Sequence, residues 1–236
     1  MNLSDPFKIL SPNERWAPTQ GQMDAFQNAY EKLLPPLVYK IRIAVAKWRD
    51  EGYQGASETS KSLLNFWFNQ EHLIGQTKFS FFFSQREAIE SIIYLYEIAK
   101  ARDKYELVRF DSSQRVSTGM FEETWTRYVI KMATGAGKTK VMGLTLVWSY
   151  FHKLYEAGST LSKDFLVIAP NIIVLNRLRK DFDGLKMFFE EPFFPDNGYD
   201  DKDWKNDFQL TLHIQDDLKP ITEPGNIFLT NIHRVF

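Results

Sequence analysis

Met132-Ala133-Thr134-Gly135-Ala136-Gly137-Lys138-Thr139 is the stretch that most limits what this chain can fold into. A β-prone run, Tyr128-Val129-Ile130-Lys131, precedes it, and an apolar-periodic segment from Lys140 to Tyr155 follows. Strand, glycine loop and helix in that order are the setting in which a phosphate-binding loop works. Gly135 and Gly137 carry no Cβ, so the backbone can curl and turn successive N–H groups toward phosphate oxygens. A helix opening near Lys138 adds its positive dipole end. In such a loop Lys138 bridges the β- and γ-phosphates and the Thr139 hydroxyl sits on Mg²⁺. The expected nucleotide contacts are Thr134, Gly135, Ala136, Gly137, Lys138 and Thr139, with Lys138 and Thr139 nearest the chemistry. Met132 stands where the usual pattern has a first glycine.

A chain of 236 residues, 44% of them hydrophobic, can bury a sizeable core as one large domain or two small ones. Its 29 basic and 30 acidic residues leave a net charge of −1. Nucleic-acid binding would therefore rest on local patches, not on a global basic excess. The absence of cysteine excludes disulfides, thiolate metal sites and a cysteine nucleophile. It fits a reducing cytosol, and a cytoplasmic setting is the expectation. Met1-Asn2-Leu3-Ser4-Asp5-Pro6 does not read as a signal peptide, and no run is long enough to span a membrane.

Residues 1–20, with Pro6, Pro12 and Pro18, read as an extended lead-in. Helices are expected over Gln22–Leu34, stopped by Pro35-Pro36, over Leu37–Arg49 and over Glu58–Phe68. The triplet Phe66-Trp67-Phe68 reads as core packing. Lys78–Phe83 is an apolar extended run, after which Ser84 and Glu87 have capping-box spacing and open a helix to about Lys100. Residues 101–125 read as an inserted loop or hairpin. Phe165-Leu166-Val167-Ile168-Ala169 has the continuous apolar character of a central parallel strand buried on both faces. One helix is expected from Ile172 to about Glu190, and residues 191–207 read as an acidic surface excursion. Alternation over Phe208–Ile214 and the run Ile227–Thr230 give two further strands. The expected layout is α/β with a mostly parallel sheet, a helical accessory region over 1–76 and the sheet domain over 77–236.

With the loop placed, three other segments fall into a known order: Gln85 at a helix start, Asn171-Ile172-Ile173-Val174-Leu175-Asn176-Arg177-Leu178 after the next strand, and Thr230-Asn231-Ile232-His233-Arg234 after a later one. Together with Met-Ala-Thr-Gly-Ala-Gly-Lys-Thr they resemble the first motor domain of superfamily 2 helicases and translocases. The nearest likeness is to the helicase (Res) subunit of type III restriction enzymes, where the same loop flavour accommodates Met132. Trp48-Arg49-Asp50-Glu51-Gly52-Tyr53, Phe66-Trp67-Phe68 and Gln85-Arg86-Glu87-Ala88-Ile89-Glu90 are also similar to that family, so the likeness covers roughly 35–236.

The resemblance implies an incomplete RecA-like P-loop NTPase domain that uses ATP and Mg²⁺ and acts on double-stranded DNA, with RNA as the alternative track. It further implies a modification methyltransferase as partner. Gln85 would read adenine, because a side-chain amide donates and accepts at once. Phe83 or a neighbour would stack on the base, although relatives often carry a basic residue and an aromatic where Phe83-Ser84 stand. Pro170, Asn171 and Arg177, and Thr230, Asn231 and His233, would contact the nucleic-acid backbone. The family's Asp-Glu motif follows the Thr-Asn-Ile-His segment and is expected beyond Phe236, so the chain alone is expected not to hydrolyse ATP. Two rivals remain. A GTPase or small-molecule kinase would want an Asn-Lys-x-Asp run or an arginine-rich lid, and neither is present. A non-catalytic nucleotide-binding module would bind without coupling to nucleic acid.

Overall fold

The computed structural model describes residues 5–12, 37–111, 116–117, 119, 125–217, 219–221 and 224–235. The helix expected over 22–34 lies outside these, as do residues 112–115, 118 and 120–124 of the expected insertion. In chain order come α1 (Val38–Asp50), α2 (Glu58–Asn69), β1 (His72–Ile74), β2 (Thr77–Phe79), α3 (Phe83–Ile93), α4 (Lys104–Val108) and α5 (Lys138–Tyr155). Then follow β3 (Asp164–Ala169), α6 (Ile172–Asp181), α7 (Lys186–Glu190), α8 (Trp204–Asp207), β4 (Thr211–Ile214) and β5 (Asn226–Asn231). The chain divides into two compact units, one of residues 1–56 and 82–136, the other of 57–81 and 137–236.

In the first unit α1 and α3 pack through Val45, Trp48, Ile89 and Ile93, all buried. The Trp48 indole donates to the Gln54 carbonyl at 3.0 Å and its ring meets Tyr53 edge-on, which folds the Glu51–Gly55 turn back onto the helix. α3 starts at Phe83, one residue before the expected Ser84 cap. The N-terminal donor is satisfied by Gln85, whose Oε1 accepts from the Phe82 N–H at 2.9 Å, so the longer amide does the capping. Beyond Ile93 the helix continues as a π turn, Tyr94–Ile98, closed by Ala99 N–H to Tyr94 C=O at 2.8 Å. Leu95, Ala101 and Phe110 form a small core against Ile41, Leu107 and Tyr128.

The expected strand Tyr128–Lys131 joins no sheet. A strand exists only with a hydrogen-bonded neighbour. Here the segment is held by side chains instead, Tyr128 Oη donating to the Ala101 carbonyl at 3.0 Å and Thr126 Oγ1 to Arg102 at 2.7 Å. Val129 is left 82% exposed.

Among the described residues the sheet of the second unit has three parallel strands in the order β3-β5-β4. β3 is therefore an edge strand rather than a central one, and Leu166 and Ile168 on one of its faces stay 61% and 40% exposed. The strand after the acidic region is shorter than its alternation suggested: Phe208 is buried ahead of it and pairing begins at Thr211. The helix expected over 172–190 breaks where Gly184 and Leu185 both take positive φ, giving α6, a 3₁₀ turn and α7.

α5 lays Val141, Leu144, Val147, Trp148 and Phe151 into the core. Phe151 meets Trp204 at 4.7 Å and Phe194 and Phe208 at 5.7 Å. The 191–207 stretch is thus more than a surface excursion, because Phe193, Phe194 and Trp204 anchor it inside. Of the Phe66-Trp67-Phe68 triplet only Trp67 is fully in the core, its indole donating to the Phe193 carbonyl at 2.7 Å, while Phe66 and Phe68 stay half-buried. Among the described residues no helix is long and apolar enough to cross a membrane.

Gly143 lies on α5 against the fully buried Phe193 ring, and a Cβ there would come within 2.5 Å of Phe193 Cε1. That ring is wedged by Phe188 at 5.2 Å and Phe81 at 6.4 Å, so it has no room to retreat. Alanine normally favours a helix over glycine by about 1 kcal/mol. Here we predict the opposite sign, with Gly143→Ala costing about 1–3 kcal/mol in chemical denaturation. An unchanged or raised stability would show that the ring is free to move.

His72 is buried beside Phe66, with Nε2 at 2.7 Å from the Phe66 carbonyl, and burial lowers its pKa below the ordinary value of 6.5. Below about pH 6.5 the unfolded chain takes up the proton first, so this stability is full above that pH and is lost as pH falls. His72→Gln, which does not titrate, is predicted to show a smaller drop in denaturation midpoint between about pH 7 and pH 5 than the wild type.

Candidate functional site

The glycine loop has the backbone its sequence asks for. Gly135 has φ 82° and Gly137 φ 76°, in the left-handed region that side chains disfavour. Ala136 N–H bonds the Ala133 carbonyl at 3.3 Å, which closes the turn, and Gly137 is the N-cap of α5. The first helical residues are Lys138 and Thr139, with Lys138 exposed. Open space faces Gly135, where a Cβ would meet nothing within 4 Å. These residues fit a phosphate chain with its Mg²⁺: positive-φ glycines, free volume, a helix N-terminus, a lysine and a hydroxyl.

Gln85 is only 3% exposed, and its amide is engaged at both ends. Nε2 donates to the Ala136 carbonyl at 3.0 Å while Oε1 accepts from Phe82 N–H. The structure therefore joins the expected base-reading residue to Ala136, a loop residue of the same unit. Phe83 is 6% exposed and the Arg49 guanidinium lies 5.3 Å over its ring.

The other candidates lie in the second unit, at the C-terminal ends of adjacent parallel strands. Ile168 pairs with Thr230 and Ala169 with Asn231, so Pro170-Asn171 and Ile232-His233 leave the sheet side by side. Asn171 caps α6, its Oδ1 accepting from Val174 N–H at 2.9 Å. Asn231 Oδ1 accepts from His233 N–H at 2.8 Å. Arg177 points outward, 75% exposed, with Asp181 3.9 Å away. Ligands gather at such strand ends in α/β sheets.

Gln215, which sequence reasoning passed over, ties these ends together. Its Oε1 accepts from Asn231 N–H at 3.0 Å and from Thr230 Oγ1 at 3.4 Å. It also lines a cavity of about 150 Å³ with Asn176, Arg179, Asp216 and Asp217. The available signal was a polar residue immediately after the alternation Leu210, Leu212, Ile214. Asp216, just past β4, accepts from Arg234 at 2.9 Å. Among the described residues no three His, Asp or Glu side chains stand together as a metal site.

The model of the family described as type III restriction enzyme, res subunit, matches residues 78–236, about two thirds of the chain. No curated protein and no solved structure gives a match.

Asn171 separates a structural role from a binding one. Asn171→Ala removes the cap and is predicted to cost about 1 kcal/mol in denaturation. Asn171→Asp keeps the cap beside the helix dipole but adds a negative charge. It should hold stability while weakening DNA binding in a filter or anisotropy assay. Equal DNA affinity for Asn171→Asp and wild type would show that no phosphate comes near this residue.

Proposed function

For a chain that belongs to the family of the type III restriction enzyme res subunit, we propose ATP binding at the glycine loop as the step that powers movement along duplex DNA. Membership places the chain, at family level, with helicase-like, ATP-dependent proteins that act on DNA. The finer assignment rests on the side chains. Loop amides of residues 134–137 take the phosphates, Lys138 neutralises charge between the β- and γ-groups, and Thr139 holds Mg²⁺. The bound metal would supply charge neutralisation on the phosphate oxygens. Pro170, Asn171 and Arg177, with Thr230, Asn231 and His233, meet the DNA backbone at the strand ends.

The observation that carries this reading is the hydrogen bond from Gln85 to Ala136. A polar residue in the first turn of a helix has no need to bond a loop 51 positions away. A side-chain amide has two N–H donors and two acceptor lone pairs. Ala136 and Phe82 use one of each, so one donor and one acceptor remain. Adenine offers the matching pair, an N7 acceptor beside an N6 amino donor, whereas guanine puts O6, an acceptor, in the second place.

Calorimetric titration with Mg-ATP and Mg-GTP tests it on wild type, Lys138→Ala and Gln85→Ala. ATP should bind at least about tenfold more tightly than GTP, and each substitution should weaken ATP about tenfold or more, the range for hydrogen bonds to charged or buried partners. Equal binding of the two nucleotides, with Gln85→Ala silent, would remove the adenine reading and favour a general phosphate-loop protein.

A further inference from the structure

Two motifs singled out in the sequence are not used by the nucleotide reading, Trp48–Tyr53 and Arg86–Glu90, and the structure brings them together. Glu90 has no exposed surface, and its carboxylate is surrounded by donors. Arg49 Nε reaches both its oxygens, at 2.9 and 3.0 Å, and Arg49 Nη2 adds a further bond. Tyr53 Oη donates at 2.7 Å and Arg86 Nε at 2.8 Å. Arg86 Nη2 in turn donates to Tyr53 Oη at 2.9 Å, which closes the ring of contacts. Beside it Arg42 pairs with Glu87 at 3.1 Å, a second tie between α1 and α3.

We propose that Arg49, Tyr53, Arg86 and Glu90 form a buried positioning cluster that sets the first turn of the Gln85 helix, and so determines how well the nucleotide site distinguishes adenine from guanine. This rests on the reading that Gln85 meets the base. Buried ion pairs add little stability compared with apolar packing of the same volume, and their better-attested use is to fix one geometry. Burial opposes the charge of Arg49, yet its contacts with Glu90 more than offset this and hold its pKa above the usual value. Tyr53 moves up as well, through burial and the neighbouring carboxylate, so its hydroxyl stays a donor.

The cluster reaches the site by two routes. Arg49, forked onto Glu90, also covers the Phe83 ring that begins α3. Phe83, Arg86 and Glu90 share one helical stripe, while Gln85 projects off it toward Ala136. Rolling the helix would break the ring of contacts and draw the Gln85 amide off the loop carbonyl. Arg49 and Tyr53 lie outside residues 78–236, so the nucleotide site extends to a helix that the family match does not reach.

The test measures ATP, GTP and inorganic tripolyphosphate, each with Mg²⁺, against wild type, Gln85→Ala, Tyr53→Phe and the pair Arg49→Met with Glu90→Gln. Tyr53→Phe removes one hydroxyl and little volume, and the paired change removes one charge of each sign. Both should melt near the wild type yet lower the ATP-to-GTP affinity ratio by about fivefold or more, the worth of one ordinary hydrogen bond. Tripolyphosphate, which has no base, should bind unchanged. A wild-type ratio in both variants overturns the inference, as does a loss of tripolyphosphate affinity in step with ATP. If Gln85→Ala also leaves the ratio unchanged, the underlying adenine reading fails with it. If Gln85→Ala lowers the ratio while the cluster variants are silent, only the cluster's role falls. Tyr53→Phe carries the test alone should the paired variant not fold.

Discussion

A backbone carbonyl in the glycine loop, that of Ala136, accepts from a side chain at the head of another helix. The rest of the first unit can be understood outward from that bond. For Gln85 to make it, α3 must begin at Phe83, and it does so because the same amide caps Phe82. For the helix to hold its rotation, its other stripe must be pinned, and the Arg49 and Tyr53 contacts on Glu90 pin it. One amide thus links a capping problem, a packing problem and a loop. None of these uses needs an exposed residue, which is why Gln85 is buried despite its polarity.

The second unit obeys a different constraint. Parallel strands cannot be joined by tight hairpins, so the chain must leave the sheet and return. The return path from β3 to β4 carries most of the aromatic mass: Phe182, Phe188, Phe193, Phe194, Trp204 and Phe208 fill the space beside α5. There Phe193, Phe194 and Trp204 are buried while Asp196, Asp200 and Asp201 stay exposed. The same topology puts Asn171, Thr230, Asn231 and Gln215 at one edge, where three strands end together.

Much of this was legible in the residues. Helix periodicity located α1, α2 and α5 to within two residues or so, and the glycine spacing fixed the loop, because both signals are local. What was misread depends on neighbours. Tyr128–Lys131 has the composition of a strand, but composition cannot supply a pairing partner. The apolar run of β3 looks the same in a central or an edge strand. Ser84 has the better reputation as a cap, yet Gln85 reaches back from the third turn position and satisfies the donor instead. The 172–190 segment was read as one helix, and the break at the positive φ of Gly184 and Leu185 was missed. The Arg49–Glu90 pairing spans 41 positions and left no local trace.

The π turn at Tyr94–Ile98 has a bearing on how this chain can change length. Its closing bond runs over five residues rather than four, so the helix there holds one residue more than an α-helix of the same rise. A deletion within those five residues relaxes the turn to ordinary α geometry and is absorbed locally. An insertion has no such outlet, since it must widen a turn already at the limit or rotate Leu95 and Ala101 out of their shared core. The helix that carries Gln85 is therefore lopsided in its tolerance, able to shorten at its far end without disturbing its head.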